Sequence, residues 1–315
     1  MNVRLRDFVV SNEGWIFSVS GYDNRDGVKS TLRYIPDENG DRIKNQKRFR
    51  KLEFEESYDI LRNYKPDYIK DFRVIVPNKD VIKVLSADKR ITEVLSGNES
   101  GKIKKIVKCL KNHGIGESTM GITGSFLCGL QNETSDIDFI VYGNNWFLAK
   151  EVIQSEKTKK GVEISEVSEE LWHQIYKKRN PELTYEEFIT HEIRKGHRGM
   201  VDDTYFDLLY VRDWDRINIG IKDKKGEDFG YETIVAKVKN ADFSFDSPAI
   251  YDVEHDYVDC VLSYTHTYVG QALSGEVIEA RGKIEKIGKK TRLIVGTTRA
   301  AKGEWIKSLT LLDAL

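Results

Sequence analysis

Apolar residues near the N-terminus come in short runs that alternate with polar ones, the period of strands. Phe8-Val9-Val10 and Trp15 to Val19 flank Asn12-Glu13-Gly14, a hairpin-like turn, and Val28 to Ile35 follows Asn24-Arg25-Asp26-Gly27. Glu55 to Tyr64 predicts a helix ended by Pro66, and Phe72 to Val76 a short strand. Asn78 then reads as the cap of a helix carrying Val81, Ile82, Val84 and Leu85. Ser96 to Ser100 reads as a polar linker. Beyond it, Ile103, Ile106, Val107 and Leu110 share one face of a helix over Lys102–Asn112. Strands are predicted at Met120–Thr123 and up to Tyr142, with a short helix between them from Phe126 to Leu130. Helices are predicted at Trp146–Ser155, Glu169–Arg179 and Tyr185–Arg194, the last capped by Thr184, before a strand at Tyr205–Val211. Closely spaced strands then run from Thr233 to Val295, as in a small barrel or sandwich, before an amphipathic helix at Lys302–Leu312. The pattern divides the chain into a β-rich N-terminal domain with helices (1–97), an α/β core (98–222) and a β-rich C-terminal domain (223–315).

The candidate chemistry lies in Gly121 to Gly143, GITGSFLCGLQNETSDIDFIVYG. Side chains two apart on a strand share a face, so Asp136 and Asp138 are parallel carboxylates while Ile137 and Phe139 face the core. Such a pair repels itself and calls for cations. Its hard oxygen ligands suit Mg²⁺ or Mn²⁺. Upstream, Gly124-Ser125 offers backbone N–H groups and a hydroxyl at a helix start, where phosphate oxygens bind. A phosphate cradle beside paired carboxylates is the equipment of phosphoryl or nucleotidyl transfer.

Gly124, Ser125, Gly129, Asp136 and Asp138 together resemble the signature of the DNA polymerase β-like nucleotidyltransferase superfamily. The resemblance spans about Ile103 to Val211, and the whole chain also looks like an archaeal group of predicted nucleotidyltransferases. It implies a mixed α+β core of nucleotidyltransferase type, flanked by β-rich units. It also implies an NTP substrate such as ATP, held by Gly124, Ser125, Gly129 and Ser135. A third metal-binding carboxylate belongs on a later strand. Asp207, one acid inside an apolar strand, fits best; Asp202 and Asp203 compete, and Asp213 and Asp215 lie beyond the strand's end. Asp136 and Asp138 would bridge two ions, and Asp207 would hold one of them and take the acceptor's proton.

Composition narrows the rest. The net charge of −1 does not announce a nucleic-acid binder, but two segments are locally basic. One is Arg42 to Lys51, RIKNQKRFRK. The other, Arg281 to Lys307, holds nine Lys or Arg against two Glu. Both are candidate contacts to an RNA or DNA acceptor. Arg194 to Arg198, just before the Asp207 strand, could bring cations to the site. Alternative readings are a nucleic-acid-binding protein with an inactive core, and an enzyme that attaches nucleotides to protein side chains. The three cysteines and six histidines show no zinc or disulfide spacing. Abundant Lys and Glu suit an archaeal or hot-environment protein. No apolar run is long enough for a membrane span and no signal segment is evident, which predicts a cytoplasmic protein.

Overall fold

Alternating burial along the first strands builds the N-terminal sheet of the computed structural model, which describes residues 2–70, 73–97, 101–159, 163–218, 225–298 and 300–314. Strands β1 (Phe8–Ser11), β2 (Ile16–Val19) and β3 (Val28–Pro36) form an antiparallel meander. The hairpin β4 (Arg42–Lys44) and β5 (Lys47–Lys51) extends it beyond β3. Helix α1 (Phe54–Tyr64) starts with a capping box between Glu53 and Glu56. It buries Leu61 with Phe17, Val28, Leu32 and Tyr68. β6 (Ile69–Lys70) and β7 (Arg73–Val76) pair with each other, and β7 pairs with β3.

Val81–Leu85, expected on a helix, is instead strand β8. Asn78 to Asp80 makes only a 3₁₀ turn, and β8 pairs with the free edge of β1 from Phe8↔Leu85 to Ser11↔Val81. The β-branched residues fit that ladder, and pairing it satisfies an otherwise open sheet edge. Helix α2 (Ala87–Ser96) follows. The expected linker lies mostly outside the described residues, which resume at helix α3 (Gly101–Asn112).

The central sheet is built from β9 (Met120–Ile122), β10 (Ile137–Tyr142), β11 (Ile164–Ser165), β12 (Arg198–Val201) and β13 (Thr204–Val211). Its order is β11-β12-β13-β10-β9, with β10 and β13 parallel and the other pairs antiparallel. Helix α4 (Gly124–Cys128) bridges β9 to the loop before β10. Helix α5 (Asn145–Lys157) buries Trp146, Ala149, Val152 and Ile153. Ile140, Tyr142, Leu209 and Val211 pack instead against Phe8, Ile16 and Tyr34 of the N-terminal sheet. The two sheets thus share a core.

Between β11 and β12 run helices α6 (Glu169–Arg179) and α7 (Tyr185–Lys195). Thr184 and Glu187 form the capping box that starts α7. The chain then ends in a six-stranded sheet: β14 (Glu227–Asn240), β15 (Ala249–Glu254), β16 (Cys260–Ser263), β17 (Val277–Ile287), β18 (Lys290–Val295) and β19 (Trp305–Ser308). The helix expected over 302–312 forms only at its end, as α8 (Leu309–Leu312); Trp305–Ser308 is instead β19, which pairs Trp305 with Arg281 and Ile306 with Ala280. Alternation at Trp305, Ile306, Lys307 and Ser308 (half-buried, buried, half-buried, buried) is the period of a strand.

The chain forms two units, Met1–Glu166 with His197–Gly220, and Val167–Gly196 with Ile221–Leu315. This division differs from the one at 97 and 222. Residues 167–196 join the C-terminal sheet because their polar groups are satisfied there. Lys195 is buried and donates to Glu192 and to the Thr267 carbonyl, and the Ser308 amide donates to His191 Nε2 at 3.0 Å.

Candidate active site

Strand register brings the acids together. Asp138 on β10 lies directly opposite Asp207 on β13, between the pairs Ile137↔Phe206 and Phe139↔Leu208. Paired residues on neighbouring strands share a face at about 4.8 Å strand spacing. Asp136, one residue before β10 starts, precedes Asp138 by two and is exposed. The Asp138 carboxyl is pushed up to about 7, first by burial, then by Asp136 and Asp207; Arg6 and Arg33 act against the rise. Asp207 is held from the other side: Arg198 Nε donates to its Oδ1 at 2.6 Å and the Tyr205 hydroxyl at 3.1 Å. His197 Nε2 lies 4.0 Å from the same oxygen. The competing acids are elsewhere. Asp202 and Asp203 form the β12–β13 turn and pair with Lys105 and Lys102. Asp213 sits against Gly143, past the far end of β10.

Gly124 opens α4 with a φ of +66°, and a Cβ there would fall 2.1 Å from Asp138 Oδ2. Only glycine lets the backbone come this close to the acid. The Ser125 hydroxyl beside it has no hydrogen bond among the described residues. The first amides of a helix have no acceptor within it, so Gly124 and Ser125 present donors next to the acids. We expect Gly124→Ala to displace Asp138 and to weaken Mn²⁺ binding by roughly tenfold or more. Titration calorimetry with Mn²⁺ checks this; wild-type affinity in the variant would mean that the close approach is not required.

Residues 103–196, which carry Gly124, Ser125, Asp136 and Asp138, match the nucleotidyltransferase domain family. The chain is also similar to the uncharacterized protein MJ1086 of Methanocaldococcus jannaschii, 35% identical over 343 aligned residues, covering 98% of this chain and 99% of that one. The chain belongs to the nucleotidyltransferase family. No solved structure matches it. The family match ends before Asp207, so the place of that acid in this nucleotidyltransferase rests on the β10–β13 register.

Three neighbouring carboxylates, with Asp138 pushed toward its protonated form by burial and then by the other two, fit a hard divalent cation. Gly129 and Ser135, expected on the nucleotide, are engaged locally. Gly129 closes α4 in the left-handed conformation and donates its amide to the Phe126 carbonyl at 3.3 Å. The Ser135 hydroxyl accepts from Arg42 at 3.2 Å and from the Asn132 amide at 2.9 Å. Both brace the loop between cradle and acids.

Much of the charge in the two basic segments is also engaged. Arg42 and Lys44 donate to the carbonyls of Leu130 and Cys128, Arg48 to that of Gly40, and Arg50 pairs with Asp37 and Glu56. In the C-terminal segment Lys283, Arg292, Lys302 and Lys307 pair with Asp228, Glu285, Glu182 and Glu279, and Arg281 lies over the rings of Tyr231 and Trp305. Arg299 lies outside the described residues. Of Arg194 to Arg198, only His197 and Arg198 reach the acids; Arg194 pairs with Glu276. Among the described residues no helix is long and apolar enough to cross a membrane.

Arg6, Arg33 and Tyr205 were not singled out from the sequence. Arg6 carried one local signal, a single cation between Leu5 and Asp7, too common to read. Its φ of +71° and its carbonyl, which accepts from Thr123, place it beside the cradle.

Proposed function

We propose that this nucleotidyltransferase moves a nucleoside monophosphate from an NTP to an acceptor hydroxyl with the help of Mg²⁺ or Mn²⁺. The observation that carries the reading is the in-register pair Asp138 and Asp207, with Asp136 on the same face and Gly124 against Asp138. Asp136, Asp138 and Asp207 are the residues that would hold the cations. The bound cations would supply charge neutralisation at the phosphates and lower the pKa of the acceptor hydroxyl. Ser125 and the amides at the start of α4 orient the triphosphate. The acceptor oxygen bonds to the α-phosphorus, the bridging bond to the β-phosphate breaks, and pyrophosphate leaves. The proton passes to Asp207, whose carboxylate is oriented by Arg198 and Tyr205.

The acceptor decides between the remaining readings. A nucleic acid was the first expectation, but internal ion pairs now engage many of the cations behind it. Transfer from each of four α-labelled NTPs to total RNA, a DNA oligonucleotide, proteins and small hydroxyl compounds separates the classes. Label on one class, reduced roughly 100-fold or more by Asp207→Asn, is the expected result. Transfer that persists in Asp207→Asn would remove the third acid from the mechanism.

A further inference from the structure

The sheet that covers the acids presents cations to them, and strand register says which. On β10 the residues Asp138, Ile140 and Tyr142 share one face, and on β13 so do Asp207, Leu209 and Val211. The apolar members of this set pack against Tyr34, with Phe49 at the rim. The two carboxylates therefore face the N-terminal sheet.

That sheet has a bulge at the decisive place. Phe17 pairs with Leu32, but Ile16 pairs with Tyr34, so Arg33 is an extra residue in β3. Leu32 points into the core under α1, while Tyr34 points into the core shared with β10. Arg33 follows Leu32 and so turns to the opposite side, the side of Tyr34. Lys51 pairs with Tyr34 and shares its face, and Arg42 pairs with Phe49. Arg42 and Lys44 are used up in bracing the loop from Cys128 to Ser135. Arg33 and Lys51 are not: among the described residues neither side chain has a hydrogen bond or ion pair.

Their charges nevertheless reach the site. Tyr34, next to Arg33 on β3 and paired with Lys51, packs in one core with Leu127 and Cys128 of α4 and Ile140 of β10, which sets this stretch of the sheet on the α4 side of the acids. The Lys51 ammonium is lowered first by desolvation and then by Arg33, and Asp136 and Asp138 oppose this. Two unspent cations beside the Gly124-Ser125 cradle, on the side away from β13, fit the part of a nucleotide that leaves.

We propose that Arg33 and Lys51, carried by the bulged N-terminal sheet, clamp the β- and γ-phosphates of the incoming NTP. The inference rests on the transferase reading and adds a wall to its site. As the bond to the β-phosphate breaks, negative charge accumulates on the pyrophosphate, where fixed cations stabilise it. Arg33 offers a planar fork for two phosphate oxygens, and Lys51 a mobile point charge. Both are positioning residues.

The test is binding, measured by titration calorimetry in Mg²⁺ with the four NTPs, their NMPs and inorganic tripolyphosphate. Arg33→Gln and Lys51→Gln should each weaken NTP and tripolyphosphate binding by about tenfold and leave NMP binding unchanged. Arg33→Lys should lose less than Arg33→Gln. Lys47→Gln, on the same hairpin but without a part in the site, should behave as wild type, and all variants should unfold at the wild-type temperature. Wild-type NTP affinity in both Gln variants, or an equal loss of NMP affinity, overturns the clamp and leaves the transferase reading standing. So does unchanged NTP binding with a raised KM for the acceptor, which would assign the cations to an acceptor phosphate. Wild-type protein that binds neither NTP nor tripolyphosphate overturns both readings.

Discussion

Asp138→Asn should all but remove transfer and yet make the metal-free protein more stable. Both effects follow from one environment. Asp138 is the central acid, flanked by Asp136 along the chain and Asp207 across the ladder, and burial with these two neighbours pushes its carboxyl up to about 7. A carboxyl raised above its unfolded value of 3.8 favours folding fully below that value and loses this contribution as pH rises toward 7. In EDTA at pH 8 the wild type carries the full penalty, and the Asn variant carries none. The variant should therefore melt roughly 6 °C higher at pH 8, on the order of 4 kcal/mol for a chain of this size, and the gap should close by pH 4. Mn²⁺ should stabilise the wild type and not the variant. Transfer should fall by roughly 1,000-fold because the proposed cation site would lose its middle ligand. Thermal unfolding across pH with and without Mn²⁺ checks the first half, and labelled transfer the second. A variant that melts lower than wild type at every pH would show that Asp138 supports the fold rather than strains it.

Much of this candidate site can be read from the sequence because the motif is local. Gly124, Ser125, Asp136 and Asp138 lie within one stretch, and strand alternation alone puts the two acids on one face. Asp207 was legible as the one acid in an apolar strand, although 69 residues separate it from Asp138. What was hidden depends on pairing between distant segments. Nothing in Thr31 to Ile35 announces a bulge; it exists because β2 meets β3 with Ile16 and Phe17 set against three residues. Only through that register does Arg33 turn to the side of the acids, where we place it in the proposed clamp. The same limit explains Val81–Leu85 and Lys302–Leu312. Both carry apolar spacings compatible with a helix, yet Val81–Leu85, and Trp305–Ser308 within the second, became strands because a neighbouring strand had an edge to pair, β1 in one case and β17 in the other. Helices α6 and α7 show the converse. Their spans and the Thr184 cap were readable, while their place with the C-terminal sheet depends on Lys195, His191 and Arg194 finding partners there.

Arg198→Met should be the most destabilising single change at the site. The guanidinium is buried, and its Nε donates to Asp207 Oδ1 at 2.6 Å across the β12–β13 pair. Taking it away removes the buried charge nearest the Asp207 carboxylate, which keeps the Tyr205 hydroxyl and His197 at 4.0 Å, and loses the strongest restraint on its orientation. Removing one partner of a buried pair costs about 3–5 kcal/mol, because the remaining charge stays desolvated. Urea unfolding of the metal-free variant should show a loss of that order, and transfer should fall by roughly 100-fold as Asp207 loses its alignment with Asp138. The double variant Arg198→Met/Asp207→Leu removes the stranded charge. It should regain most of the stability, since a buried ion pair replaced by apolar groups is often neutral, and it should stay inactive. That separation is the purpose of the pair of variants. Stability that returns without activity assigns Arg198 to holding Asp207 in place. A single variant as stable as wild type would mean that Asp207 carries its charge without the arginine.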